Sequence, residues 1–92
     1  MNLLTSQNFT KEISSGDSLV IFSFVPSSLL TGILANLSFF PRTFVVNIEE
    51  ERDLAAKYNI RISPIVYRFK DGEAINTYKL NEIEALICIL KS

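Results

Sequence analysis

The chain has 92 residues, 48% of them apolar and 21% charged, with three Gly and three Pro. That balance excludes a disordered or collagen-like chain and leaves room for one small domain over residues 1–92, because two cores would each have half the chain and a single cysteine. Nine Lys and Arg against ten Asp and Glu give a net charge of -1, so no cationic excess exists to drive binding to nucleic acid or to an anionic membrane surface. With no His and only Cys88, the commonest general base, the commonest metal ligand and an internal disulfide are absent together. Most enzyme classes, and any metal or other cofactor, are therefore not expected.

The first residues have no basic start, no apolar run and no small-residue cleavage site, so no secretion signal is read there. The longest apolar stretch, Leu19 to Val25 interrupted by Ser23, falls far short of the ~20 residues a membrane helix needs. A soluble, cytoplasmic protein is the expectation, and a free thiol fits that compartment.

In chain order, Leu3 to Thr5 is predicted as a short edge strand. Ser6 stands where an N-cap belongs, ahead of a short helix with Phe9 and Ile13 four apart on one face, and Ser15-Gly16-Asp17 ends it. Ser18 to Val25 is β-branched and aromatic with little polar alternation, as in a central strand covered on both faces. Pro26-Ser27-Ser28 then breaks the strand and starts a helix, with Pro in the first turn and Ser as N-cap. Leu29, Leu30, Ile33, Leu34 and Leu37 recur at helical spacing, which predicts a mostly buried helix despite Gly32.

Thr43 to Ile48 reads as a second buried strand. Glu49, Glu50, Glu51 and Asp53 place negative charge at the start of the helix that continues to Tyr58, where it stabilises the positive end of the helix dipole; metal or acid-base chemistry is not expected of them. Pro64 opens the strand Ile65 to Lys70, Asp71-Gly72 is a two-residue hairpin signal, and Ala74 to Leu80 returns antiparallel. Asn81 is predicted to cap a last helix with Ile83, Leu86, Ile87 and Leu90 on one face. The order is β-α-β-α-β-α-β-β-α.

A βαβ half followed by a ββα half resembles the thioredoxin fold, an α/β architecture with a central mixed sheet and helices on both faces. Asn47-Ile48, then Lys57-Tyr58-x-Ile60-Arg61-x-x-Pro64, then Phe69-Lys70-x-Gly72-Glu73 is similar to the second half of bacterial thioredoxins at nearly their spacing. Leu4-Thr5, Phe9, Gly16 and Leu19-Val20 through Phe22 resemble the first half more loosely, so the likeness covers residues 3 to 91.

The departures fall where thioredoxins do their chemistry. Phe24-Val25-Pro26-Ser27-Ser28 stands where the family carries Trp-Cys-Gly-Pro-Cys, in a segment about three residues shorter. The family's buried aspartate on the central strand aligns with Ile21, and the glycine turn after its last strand is shortened into Tyr78-Lys79-Leu80-Asn81. The resemblance further implies that Ser63-Pro64 is the family's cis-proline, facing the start of the helix, where the backbone of the preceding residue pairs with a bound polypeptide.

Ser27 and Ser28 have no histidine to activate them and start no S-x-x-K pattern, so capping is their expected role. Cys88 lies among isoleucines next to Glu84 and Lys91 on a helical wheel; it reads as a small hydrophobe first and as a redox thiol second. Phe24, Val25, Leu29, Phe39 and Phe40 are expected to be mostly core, with any excess left to a dimer or partner surface. The expected function is a redox-inactive, non-enzymatic thioredoxin-like protein that binds a protein partner, or a second copy of itself as a homodimer. The surface would be Phe24, Val25, Pro26, Ser27, Ser28, Ser63 and Pro64. The alternatives are a one-cysteine redox protein using Cys88 and an accessory subunit that mimics thioredoxin.

Overall fold

The structure is a computed structural model that describes residues 2–92. Its elements are α1 (Phe9–Ile13), β1 (Asp17–Ser23), α2 (Ser28–Leu37), β2 (Thr43–Asn47), α3 (Arg52–Lys57), β3 (Ile65–Lys70), β4 (Glu73–Lys79), a short 3-10 turn (Leu80–Glu82) and α4 (Ile83–Lys91). The four strands form one mixed sheet in the order β2-β1-β3-β4, with β1 parallel to β2 and antiparallel to β3. The predicted first strand is reduced to a single parallel bridge between Leu3 and Val45. Two hydrogen bonds hold it, Leu4 N–H to Val45 O and Val45 N–H to Asn2 O, both 2.8 Å.

The unalternating apolar run of β1 is explained by its central place. Leu19 and Ile21 face one apolar layer with Leu30, Ile33 and Leu37 of α2 and Ile83 and Leu86 of α4. Val20 and Phe22 face the other, with Phe9 and Ile13 of α1 and Leu54 of α3. The sheet is thus covered on both faces, and a strand buried on both sides needs apolar residues at every position. On the α1–α3 side, Phe9 packs edge-on against Tyr58 and Phe69 with centroids 5.6 Å apart in each case. Edge-to-face aromatic pairs of this kind add about 0.5–1.5 kcal/mol beyond burial.

Several ends differ from the sequence-based expectation. Helix α1 starts at Phe9 with Asn8, not Ser6, as the flanking residue; the Asn8 side chain instead accepts from Thr5 N–H at 2.8 Å. Strand β1 stops at Ser23, so Phe24 and Val25 leave the sheet. Pro26 precedes the N-cap of α2 rather than occupying its first turn. At α4 the cap is not Asn81: the chain first makes a 3-10 turn, and Glu82 reaches back to accept from Lys79 N–H at 2.9 Å. A carboxylate three residues on reaches back to the N–H at the start of the turn, the acid half of a capping box.

Helix α2 is not mostly buried. Only Leu30, Ile33 and Leu37 are, because a helix lying on one sheet face can bury a single stripe. The five-residue apolar group at the corners is likewise mainly outside: Phe24, Leu29 and Phe39 are exposed, while Val25 and Phe40 are half-buried against the α2–α4 layer.

The hairpin turn follows its sequence. Asp71 and Gly72 have φ of 50° and 90°, the positive values that a tight turn between right-twisted strands requires. Tertiary contact then fixes the turn to the loop after α1: Asp71 N–H donates to Gly16 O at 3.0 Å, and Gly16 N–H donates to Asp71 Oδ1 at 2.8 Å. Asn59, also at positive φ, ends α3 with its N–H on Ala56 O.

Burial raises the phenol pKa of Tyr58 and of Tyr67, and for Tyr58 the proximity of Tyr67 adds to it. The Tyr67 hydroxyl donates to Tyr58 O at 3.0 Å. A folded-state pKa above the unfolded value means that the folded chain holds these protons longer. Their contribution to stability is complete below pH ~10, the ordinary tyrosine value, and is lost as pH rises through the folded values. Tyr67→Phe is expected to remove one high-pH step from the 295 nm titration and to lower stability by about 0.5–1.5 kcal/mol, the net worth of a hydrogen bond. An unchanged urea-unfolding midpoint would refute the Tyr67–Tyr58 hydrogen bond.

Candidate functional site

All four strands have one end in common. The parallel strands β1 and β2 finish there at Ser23 and Asn47, β3 begins there at Ile65, and β4 returns there at Lys79. The β1–β3 register runs from Asp17 opposite Lys70 to Phe22 opposite Ile65. The sequence-predicted residues Phe24 to Ser28 and Ser63-Pro64, about 35 positions apart in the chain, thus belong to the same end of the sheet: the first follow β1 after Ser23 and the second lead into β3 at Ile65.

At the first segment, the Ser23 hydroxyl donates to Phe24 O at 3.0 Å and Ile48 N–H donates to Ser23 O at 3.1 Å, which ties the exit of β1 to that of β2. Phe24 then stands 48% exposed, Val25 folds back onto the α2–α4 layer, and Pro26 is exposed. Ser27 is the N-cap of α2: its Oγ accepts from Leu30 N–H at 3.4 Å, and its carbonyl accepts from Thr31 N–H at 3.1 Å. The hydroxyl of Ser27 is thus engaged by the helix, and Ser28 beside it is exposed. Neither serine has a base to deprotonate it, since the chain has no histidine.

At the second segment Pro64 is buried and Ser63 half-buried, while Ile62 next to it is 51% exposed. The peptide bonds Val25-Pro26 and Ser63-Pro64 are both cis, and the first of these was not foreseen from the sequence. Ser63 lies two residues before the first paired residue of β3. Among the described residues, no backbone hydrogen bond outside the helices and strands uses its N–H or C=O. The β4 end adds Leu80, 45% exposed, in the 3-10 turn. Sequence reasoning named Leu80 as a strand end and as part of the turn after it, not as a site residue, and did not name Ile62; two large apolar side chains beside polar neighbours were the available signal.

Ile21 is fully buried between Val45 and Val66. Cys88 is exposed on α4, off the buried stripe; the helix turns it outward while Leu86 takes the buried position. It is the sole cysteine, and the chain holds no Cys-x-x-Cys pair. No helix among the described residues is long and apolar enough to cross a membrane.

No family model and no curated protein matches the chain. Solved structures do. A thioredoxin mutant from Halobacterium salinarum is 16% identical, with TM-score 0.83 over 98% of this chain and 87% of its own. Mitochondrial thioredoxin 3 from Saccharomyces cerevisiae is 17% identical, with TM-score 0.79 over 97% and 94%. The thioredoxin Mala s 13 from Malassezia sympodialis is 19% identical, with TM-score 0.75 over 100% and 91%. The protein has the thioredoxin fold, with one cysteine and no redox pair at the start of α2.

Proposed function

We propose that this chain is a thioredoxin-fold binding module without thiol-disulfide chemistry, and that it takes up an extended segment of a partner polypeptide at the common strand end. The observation that carries the reading is Ser63, whose backbone lies beyond the paired part of β3, at the sheet end where Phe24 leaves β1, and which has no backbone partner among the described turn and loop hydrogen bonds. An N–H and a C=O held in line with a strand are what an added strand binds, and nearby apolar side chains supply grip for alternate residues of the segment. Phe24 and Ile62 stand exposed on either side. A serine pair in place of a thiol pair leaves binding without electron transfer, because a hydroxyl forms no disulfide. Protein binding of this kind needs no cofactor, and an intracellular, cytoplasmic setting is part of the same proposal.

The reading is tested in two measurements. Insulin reduction by dithiothreitol is expected to run no faster with the protein than without it. Proteins captured from cell lysate by the wild type are expected to be retained by Ser63→Ala and lost, at least tenfold, by Ser63→Pro, which removes the backbone donor; circular dichroism checks that the variant is folded. Equal capture by a folded Ser63→Pro would overturn the site, and catalysed insulin reduction would overturn the loss of redox activity.

A further inference from the structure

The sheet has two edges, and they end differently. Along β2 the edge is closed: Leu3 bridges Val45, whose C=O accepts from Leu4 N–H and whose N–H donates to Asn2 O. Along β4 it is open. Residues Glu73 to Thr77 are exposed, Tyr78 is the residue of this strand that reaches a core layer, and no described turn or loop hydrogen bond uses the backbone of Glu73 to Tyr78. The strand has seven residues and no proline, with a single charge at each end, Glu73 and Lys79. A row of unpaired N–H and C=O groups is a template for another strand, and the five residues between the two charges carry neither the charge nor the proline that guards an edge.

The backbone identifies the free groups. Lys79 N–H donates to Glu82 and not to β3; strand residues two apart turn the same way, so the N–H and C=O of Thr77 face the open edge. Ile75 is the extra residue of a bulge, since Arg68 pairs with Asn76 and Phe69 with Ala74, and a bulged residue is left without a partner on the neighbouring strand. The bulge also adds twist, which a flat strand does not match and an identical strand related by a two-fold axis does.

We propose that β4 is one half of a homodimer interface, in which two copies pair antiparallel about Asn76 and join their sheets into one. Centred there, Thr77 exchanges hydrogen bonds with Ile75 of the second copy, Ala74 lies opposite Tyr78, and Glu73 lies opposite Lys79 at both ends. Among the described residues neither Glu73 nor Lys79 has an ion partner in its own chain, so charge complementarity selects both this register and a second copy as the occupant. Strand β4 does not add to β2 of a further copy, because Asn2 to Leu4 already occupy that edge; the pairing closes as a dimer and does not run on as a filament. It lies along the side of the sheet and uses neither Ser63 nor Phe24, and so goes beyond the function proposed above.

Sedimentation equilibrium of the full chain is the measurement. One strand pair buries less than the ~1,600 Å² of a standard interface, so a weak dimer is expected, with Kd on the order of 10–100 μM. Glu73→Lys and Lys79→Glu are each expected to raise Kd at least fivefold, and their equimolar mixture to restore it, because unlike charges face each other again in the mixed dimer. Thr77→Pro removes an edge donor without touching the β3 ladder and is expected to be folded by circular dichroism and monomeric. In a Cys88→Ser background, Asn76→Cys is expected to give a disulfide-linked dimer with oxidised glutathione, since the two positions meet across the axis with Cα atoms ~4.5 Å apart, and Glu73→Cys is not. Ser63→Pro is expected to leave the mass unchanged, which separates this proposal from the strand-end site. A monomer mass for the wild type at ~1 mM, no rescue in the mixture, a dimeric Thr77→Pro, or cross-linking at position 73 and not at 76 would overturn the proposal.

Discussion

Ile21→Asp is expected to destabilise the protein by about 4 kcal/mol or more at pH 7, with a loss that shrinks markedly toward pH 4. Ile21 is fully buried on the central strand, flanked by Val45 and Val66 and covered by α2 and α4. A carboxylate there loses its hydration and finds no polar partner, while the isoleucine packing is lost as well. Burial disfavours the charged form, so the introduced carboxyl has a folded pKa above the ~3.9 of an unfolded aspartate. The folded state then binds the proton more tightly than the unfolded state, and relative stability falls as pH rises from ~3.9 through the folded value. Urea unfolding of wild type and variant at pH 4, 5, 6 and 7 checks the sign. A variant whose deficit is constant across that range would mean that water or a cation reaches the site. The same experiment asks whether this scaffold can still hold the acid that thioredoxins, by resemblance, keep at the aligned position.

Phe9→Ala is expected to cost about 3–5 kcal/mol, the range for removing a buried phenylalanine. Phe9 is only 1% exposed and contacts the rings of Phe22, Tyr58 and Phe69. Helix α1 has five residues, too few to be stable alone, so its attachment rests largely on Phe9 and Ile13. Chemical unfolding with an unchanged m-value is the measurement. A cost below about 1.5 kcal/mol would mean that α1 is loosely docked. Phe24→Ala is the useful comparison: at 48% exposure it is expected to change stability by no more than about 0.5 kcal/mol. If it nevertheless weakens partner capture, the exposed ring acts in binding and not in folding.

Three main features of the architecture were legible in the residues. Unalternating β1, the Asp71-Gly72 turn and the leucine and isoleucine spacing of α2 and α4 are local signals, each set by a strand, a turn or a helix acting over a few positions. The matching spacing around Tyr58 and Pro64 carried the fold assignment, which the structural likeness to three thioredoxins supports. Ends were less legible. Asn8 replaced Ser6 and Glu82 replaced Asn81 at the helix starts, because which polar side chain reaches a free N–H depends on the path by which the chain enters the turn.

The candidate site divides in the same way. Sequence alone determined the chemistry that is missing: one cysteine, no histidine and serines at the start of α2. Composition needs no coordinates, since a group that is absent cannot be supplied by folding. Tertiary structure decided what faces solvent. Apolar spacing gave α2 a broad buried face, but the sheet beneath it covers one stripe, which leaves Leu29 and Gly32 open; Cys88 sits outward because Leu86 occupies the inward position of α4. That Phe24 and Ser63 belong to one end of the sheet was decided there too, since it depends on the antiparallel register of β1 with β3, a long-range pairing that no local stretch of residues encodes by itself.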